Sequence, residues 1–294
     1  MTHLVEEFKK NFKVIQADTP ELIEQSLALR YQVYCVEKAF EPSANFEDGK
    51  ETDAYDARSV HSLVYHRGLE RHVGSVRLVL PDPEAPQAPF PIECLCPTLR
   101  APRVKASVAG AFRVAEISRF AISKQRRHGK PGRRNRVAPM AGPDNSLLPH
   151  ATLALFAAIV RMSAHQGVTH WYALMEPTLA RLLSRFGVYF ETVGPMVRHR
   201  GRRQPVMGAI DTVLAKMYLE RPDVWRLITD FGRHWALDEG LVEELRASAS
   251  VRVGQSPGRA EARIGGEELR PLPAARPEHY MHAAYSVAKY TIAM

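Results

Sequence analysis

The spacing of apolar positions changes several times along the chain. Leu22, Ile23, Leu27, Leu29, Tyr31, Val33 and Tyr34 recur at helical intervals, and Asp18-Thr19-Pro20-Glu21 ahead of them supplies a cap, a proline and an early acid. A helix is predicted over residues 20–36. Residues 60–66 and 73–80 read as strands, with Gly68 between them favouring a hairpin. The proline-rich stretch 81–106 reads as a loop or insertion. Residues 114–122 (VAEISRFAI) predict a third strand, and the basic, glycine-containing stretch 124–143 predicts a long loop. The most apolar helix is expected at 150–165, ended by Gly167, with a strand at 169–175. A helix at 177–186 stopped by Gly187, a short strand at 189–193, and helices at 211–219 and 222–234 come next. From about 245 to 277 large apolar residues are scarce, which predicts a poorly ordered tail; residues 279–294 fit a short docking helix. No internal repeat is present. Early strands in hairpin connection and later strands separated by helices predict an α/β (α+β) fold. The expected division is a main domain over 1–220, then a helical extension and partly disordered tail over 221–294.

Composition narrows the setting. The chain has 294 residues, of which 45% are apolar, enough for a sizeable core. No apolar run approaches the roughly 18 residues of a membrane span, and the amino terminus lacks a signal-peptide core. Cys35, Cys94 and Cys96 do not form a disulfide framework, and Cys94-x-Cys96 is too tight for the usual zinc pair. A cytoplasmic protein without a metal is expected. The net charge of +8 is concentrated in Lys124, Arg126, Arg127, Lys130, Arg133, Arg134 and Arg136, and in Arg198, Arg200, Arg202 and Arg203. Nucleic acid, anionic lipid, a phosphorylated cofactor or an acidic carrier protein each suit such patches, as does a plain solvated loop.

Three local patterns carry candidate chemistry. Arg30-x3-Tyr34-x5-Phe40 closes the first long helix. Glu51, Asp53 and Asp56 crowd the segment before the first predicted strand; three carboxylates so close repel one another unless cations neutralise them. The segment lacks the glycine of a calcium-binding EF-hand loop, so arginines are the better counterions. Glu116-Ile117-Ser118-Arg119-Phe120 lies inside an apolar strand. With period two, Glu116, Ser118 and Phe120 share one face, while Ile117, Arg119 and Ala121 share the other. Arg77 sits likewise inside VGSVRLVL. Buried arginines and acids need partners. Arg30, Arg77 and Arg119 can satisfy Glu51, Asp53, Asp56 and Glu116 only if the fold brings these distant segments together, and guanidinium forks suit carboxylates in two-point geometry.

In order and approximate spacing these fragments resemble the acyl-homoserine-lactone (autoinducer) synthases and their relatives, the N-acyl amino acid synthases. The likeness runs from about residue 25 to 125 through Arg30, Tyr34, Phe40, Glu51-x-Asp53-x2-Asp56, Arg77 and Glu116-x-Ser118-Arg119-Phe120. It implies a GNAT fold, with a mixed, splayed central sheet flanked by helices whose cleft takes the thioester arm of an acyl donor. It also implies that Arg30, Tyr34, Phe40, Glu51, Asp53, Asp56, Arg77 and Phe120 shape the acceptor site. Glu116, Ser118 and Arg119 would then serve catalysis, with Glu116 as the base. Phe40 stands where the lactone-forming branch usually has tryptophan, and the chain is longer than that branch, with a proline-rich insertion. The general likeness is nearer to long-chain N-acyl amino acid synthases and to the acyltransferases that accompany exosortase (PEP-CTERM) systems.

The GNAT pyrophosphate loop is half present, as Gln125 or Arg126 with Gly129 and Gly132. This fits a donor on acyl carrier protein, or acyl-CoA in its place, with no tightly bound cofactor. Lys124, Arg126, Arg127, Lys130, Arg133 and Arg134 would receive the acidic carrier. Backbone N–H groups near residues 120–122 would hold the oxyanion of the thioester carbonyl. Leu153, Leu155, Phe156, Ile159, Val160, Trp171, Tyr172 and Leu174 are candidates for an acyl tunnel, although core residues look the same in sequence. The activity expected is transfer of a medium or long fatty acyl group to the amine of an amino acid or similar small acceptor. The alternatives are a lactone synthase using S-adenosylmethionine, an acetyl-CoA-dependent GNAT enzyme, an acyl-binding protein without turnover, and a nucleic-acid or anionic-surface binder. The last leaves the acid–arginine pattern idle, so no nucleic-acid partner is expected.

Overall fold

A computed structural model describes residues 3–99, 113–124 and 147–254. Its elements, in chain order, begin with α1 (His3–Asn11), β1 (Phe12–Ala17) and α2 (Pro20–Tyr31). The Thr19 hydroxyl caps α2 by accepting from the Leu22 N–H, with Pro20 in the first turn. The helix then widens into a π-helical turn over Gln32–Glu37. Next come β2 (Ser59–His66), β3 (Arg71–Val79), the short α3 (Pro91–Leu95), β4 (Val114–Ile122), α4 (Leu147–Gln166), β5 (His170–Met175) and α5 (Pro177–Ser184). The two-residue strands β6 (Glu191–Thr192) and β7 (Val197–Arg198) precede β8 (Arg202–Ala209), α6 (Ile210–Glu220), α7 (Pro222–Ile228) and α8 (Glu239–Gly254).

The strands form one mixed sheet in the order β1-β2-β3-β4-β5-β8-β6, with β7 paired to β8. Neighbours from β1 to β4 are antiparallel, β4 and β5 are parallel, and β5 and β8 are antiparallel. The parallel pair needs a crossover, and the long apolar α4 comes after β4 in the chain. Alternate strand residues face opposite layers. Val64 and Trp171 join the cluster around α4, where the Trp171 indole donates to the Ser163 hydroxyl at 2.8 Å. Leu63 packs with Leu29 and Val33 on the other side, and Tyr172 packs with Val79, Phe90, Ile92 and Cys96.

Sequence periodicity missed α1, β1, α3, β7, β8 and α8. α1 and β1 are short and partly exposed, so their pattern is faint. β8 was obscured by Pro205, a residue seldom found inside a strand. Pro205 O accepts from Val193 N at 3.1 Å on the β6 side. A residue's N–H and C=O leave a strand toward the same edge, so the missing N–H falls on the side of a two-residue partner and leaves the ladder to β5 intact. The β2–β3 hairpin forms as expected, but its left-handed residue is Glu70 (φ 51°), not Gly68. The predicted helix 222–234 stops at Ile228, because Asp230 and Phe231 take left-handed φ values and the Thr229 hydroxyl accepts from the Gly232 N–H. The stretch from 245, expected to lack order, begins inside α8, which continues to Gly254. The expected docking helix 279–294 lies outside the described residues.

The chain divides into two compact units, Met1–Arg246 and Ala247–Met294. The first extends past the expected boundary at 220, since Val224, Trp225, Leu227 and Ile228 of α7 belong to the main core. Of the second unit, only the end of α8 is described. Among the described residues, no helix is long and apolar enough to cross a membrane.

Gly187, expected to stop α5, has φ 75°, and a Cβ there would lie 3.1 Å from the Met217 Cα of α6. Replacing it with alanine combines a left-handed backbone with a close approach to another helix. Gly187→Ala is expected to destabilise the protein by about 1–2 kcal/mol, read as a lower urea midpoint with unchanged slope.

Candidate active site

The acidic segment before β2 is held against three elements at once. Arg30 of α2 donates from Nε to Glu51 Oε2 at 2.6 Å, and from Nη1 and Nη2 to the two Asp56 oxygens at 2.6 and 3.2 Å. Arg77 of β3 grips both oxygens of Asp53 at 2.5 and 3.0 Å, reaches Asp56 Oδ1 at 2.7 Å, and donates from Nε to the Ser118 hydroxyl at 3.0 Å. Arg119 of β4 meets Glu51 Oε1 and Asp53 Oδ2, both at 2.8 Å from Nη2. Three guanidinium groups and three carboxylates thus close on one another with no formal net charge. Arg30, Arg77 and Glu51 are buried. Burial pushes each carboxyl up, but the arginines override it: Arg119 and Arg30 hold Glu51, Arg77 holds Asp53, and Arg30 holds Asp56, all below the ordinary carboxylate range.

Arg119 corrects the alternation expected in β4. The register with β3 slips between Ser75 and Arg77, so one residue of β3 faces two of β4, and Arg119 takes φ 52°. This is a β-bulge, and it inverts the facing of the next residues along the strand. Phe120 and Ile122 pack toward the α4 core, while Ala121 packs with Leu29 and Leu63 on the α2 side. Strict alternation would have put each on the opposite face. The bulge lets Ser118 and Arg119 serve the same lattice from consecutive positions.

Glu116 does not join the lattice, contrary to the pairing expected for it. Its Oε2 accepts from the Ile92 N–H at 2.8 Å, in the first turn of α3. It is buried beside Tyr172, Cys96 and Ile92. Burial pushes its pKa up to about 8; the Ile92 N–H, then Arg77 and Arg119, pull the other way without prevailing. The lattice arginines are already matched by their own carboxylates, so little positive potential is left over for Glu116.

Glu116, Ser118, Arg119 and Phe120 line a cavity of about 380 Å³. Its position is set by the strands. The β4–β5 ladder ends at Ile117 and Ala173, although β4 continues to Ile122 and β5 to Met175. The two strands splay there, and the cavity enters between Ser118–Ile122 and Leu174–Glu176. Beyond Ile117, β4 has no ladder partner on the β5 side, and residues 120–122, where oxyanion donors are expected, lie in that stretch.

Of the residues expected to shape an acceptor site, Tyr34, Phe40 and Phe120 line the cavity, and Arg30, Glu51, Asp53, Asp56 and Arg77 belong to the lattice. Tyr34 and Phe40 stack with ring centroids 6.4 Å apart, and the Arg119 guanidinium lies over Tyr34. Of the tunnel candidates, Phe156, Ile159 and Leu174 line the cavity. Leu153, Leu155, Val160 and Trp171 are core, and Tyr172 belongs to the cluster beside α3. Sequence reasoning missed Leu179, Leu182, Leu183 and Phe190 on the far wall. It also left the Arg200 and Arg203 cluster unassigned, although its charge density was visible. Of the basic loop, Lys124 lines the cavity; Arg126, Arg127, Lys130, Arg133 and Arg134, and the half-present pyrophosphate loop, lie outside the described residues. Among the described residues, no cluster of His, Cys, Asp and Glu is arranged to hold a metal ion.

Removing one member of the lattice leaves buried charge unmatched. Arg77→Ala is expected to lose about 3–5 kcal/mol of unfolding free energy. The pH dependence has two limbs of opposite sign. Lattice carboxyls with depressed pKa values contribute stability above their unfolded value of about 4, and this is lost as pH falls. Glu116 has a raised pKa, so its contribution is complete below about 4 and is lost as pH rises to about 8. Denaturation across this range should show the alkaline decline flattened in Glu116→Gln and the acid limb unchanged.

Residues 29–132, which contain the whole lattice and Glu116, match the family described as "Acetyltransferase (GNAT) domain". An acyl-homoserine-lactone synthase of Rhizobium radiobacter is 30% identical over 141 residues, 48% of this chain. The chain spans 57% of that relative's length. Among solved structures, TofI in a ternary complex with an inhibitor and MTA is 23% identical, with 72% of this chain and 98% of TofI covered and a TM-score of 0.49. FeeM, an N-acyl amino acid synthase from uncultured soil microbes, is 12% identical, with 71% and 96% covered and a TM-score of 0.45. The chain is thus similar to the GNAT acetyltransferase family over residues 29–132, the stretch that carries the acid–arginine lattice, and to an acyl-homoserine-lactone synthase over 141 residues.

Proposed function

We propose that the protein transfers a medium or long fatty acyl group from a thioester to the amine of an amino acid, giving an N-acyl amino acid. The observation that carries this reading is a buried carboxyl, Glu116, outside every ion pair among the described residues and on the wall of a partly apolar cavity at the splay of β4 and β5. The amine must be neutral to attack. Glu116 as carboxylate takes a proton from the ammonium, and the nitrogen then adds to the thioester carbonyl. Strand N–H groups at the splay stabilise the oxyanion. Collapse breaks the C–S bond, the nitrogen loses its second proton, and the thiolate leaves protonated. A carboxyl that burial pushes up to about 8 lies closer to the range of an amine than an ordinary carboxyl does, which suits it to proton exchange with an ammonium. Phe156, Ile159, Leu179, Leu182 and Phe190 offer apolar surface to the acyl chain. Lys124 at the wall supports a donor carried on an acidic acyl carrier protein, with acyl-CoA the alternative.

A second reading is favoured by the likeness to the Rhizobium radiobacter enzyme: acylation of S-adenosylmethionine, then ring closure to an acyl-homoserine lactone. Mass spectrometry of products from purified protein given palmitoyl thioesters, amino acids and S-adenosylmethionine separates the two. N-acyl amino acids support the first reading, lactones the second, and unreacted thioester contradicts both. With the active acceptor at saturation, kcat is expected to rise with pH through about 8 as Glu116 ionises. Glu116→Gln should lower it about 10²–10⁴-fold and abolish that limb.

A further inference from the structure

The turn between β7 and β8 brings His199 and Arg200, and the start of β8 brings Arg203, to the wall of the same cavity that Tyr34 and Phe40 line. The turn is built for this. Arg200 has φ 49° and Gly201 φ 104°, and the His199 N–H donates to the Gly201 carbonyl, so the tip folds tightly. These groups form one neighbourhood with the lattice edge: Arg200 acts on Tyr34, and Arg119 and Arg203 act on His199. Among the described residues, the cavity wall carries five cations, Lys38, Arg119, Lys124, Arg200 and Arg203, but only two carboxyls, Glu116 and Glu176. Glu176 is taken by Arg203 at 2.8 Å, and Glu116 is neutral below about pH 8. Arg119 is matched by the lattice. Arg200 meets Glu41 through Nη2, one of the five N–H donors a guanidinium offers. Burial, with Arg203 and Arg30 adding to it, disfavours the Arg200 charge despite Tyr34. A further anion beside it would relieve that strain. Burial also keeps Tyr34 protonated, as a hydroxyl donor.

Resting on the acyl-transfer reading above, we propose that Arg200, with Tyr34 and His199, binds the free carboxylate of the acceptor amino acid and makes that carboxylate a condition of acylation. The acceptor's amine then points toward Glu116 and Ser118 at the splay. Its carboxylate receives a two-point guanidinium contact at the cationic end, geometry that a point charge does not offer. The product keeps its carboxylate and leaves as an anionic N-acyl amino acid. Arg200 acts as a specificity residue; it takes no part in proton transfer.

The test compares L-amino acids with their carboxamides as acceptors, using the full chain and palmitoyl-CoA or palmitoyl-acyl carrier protein. The wild type is expected to prefer the free acid. Arg200→Gln should raise KM for the acid by about 10- to 100-fold, the loss of charge-assisted hydrogen bonds, and abolish the preference. Arg200→Lys should restore it in part. Glu41→Gln removes the ion-pair partner but leaves the Arg200 guanidinium in place, so the preference should persist or grow. Loss of the preference in Glu41→Gln, equal to that in Arg200→Gln, would mean that the ion pair merely shapes the turn, and would overturn the proposal. A rise in donor KM with an unchanged acid-to-amide ratio would assign the anion to a donor phosphate and overturn it likewise. Equal use of acid and amide by the wild type sinks the proposal while acyl transfer stands. No acylated amine from any acceptor removes the acyl-transfer reading, and the proposal with it.

Discussion

Three arginines from three elements converge on one six-residue acidic segment, and the architecture of the site depends on that convergence. Arg30 comes from α2, Arg77 from the middle of β3 and Arg119 from a bulge in β4, while Glu51, Asp53 and Asp56 come from one loop. None of these charges could be buried alone without a cost of several kcal/mol. Together they neutralise one another through paired, short contacts, so the loop has one position and the helix, strands and bulge are locked around it. A buried ionic lattice of this kind adds little net stability over a well-packed apolar core. Its effect here is specificity of position: Tyr34, within the π-helical turn that follows α2, is held under the Arg119 guanidinium at the cavity wall.

The closure of the lattice also explains why Glu116 stands outside it. With each guanidinium matched, Glu116 sits close by with a single backbone N–H to stabilise its charge, and burial then decides its protonation. A carboxyl kept neutral near neutral pH, but able to ionise near 8, suits proton exchange with an amine. The same β4 that carries it parts from β5 beyond Ile117, and the cavity opens beside the stretch of β4 that has no ladder partner on that side. The proposed acid–base group and the proposed oxyanion donors therefore both stem from one strand that changes its pairing halfway along, and the apolar wall is added by α4, α5 and Phe190.

Much of this was legible in the residues. Buried-looking arginines at 77 and 119 inside apolar strands, set against three crowded carboxylates, demanded a tertiary meeting, and it occurs. The helix over 20–36, strands β2 to β5 and the long α4 were visible from periodicity and caps. The bulge at Arg119 was not, because a left-handed arginine leaves no mark on hydrophobic alternation; the reversed facing of Phe120 and Ala121 was its only trace. Glu116 had been counted with the lattice on charge arithmetic, but its partner is a main-chain N–H, which no side-chain pattern reveals. β8 was hidden by Pro205, harmless there because its missing donor falls on the side of a two-residue strand. The turn bearing Arg200 was visible as charge, yet its place at the cavity depends on β8, and was lost with it.

The separation of Glu116 from the arginine lattice is tested most directly by a carbon-13 NMR titration of the glutamate side-chain carboxyls, with Glu116 assigned by its absence from Glu116→Gln. One glutamate is predicted to have a midpoint near 8, while Glu51 remains ionised throughout the range above its ordinary value. A Glu116 resonance that titrates with the exposed glutamates, near the usual value of about 4.3, would contradict this. Glu116 would then be hydrated or drawn into the arginine lattice, and the separation of charge on which the proposed chemistry rests would not exist.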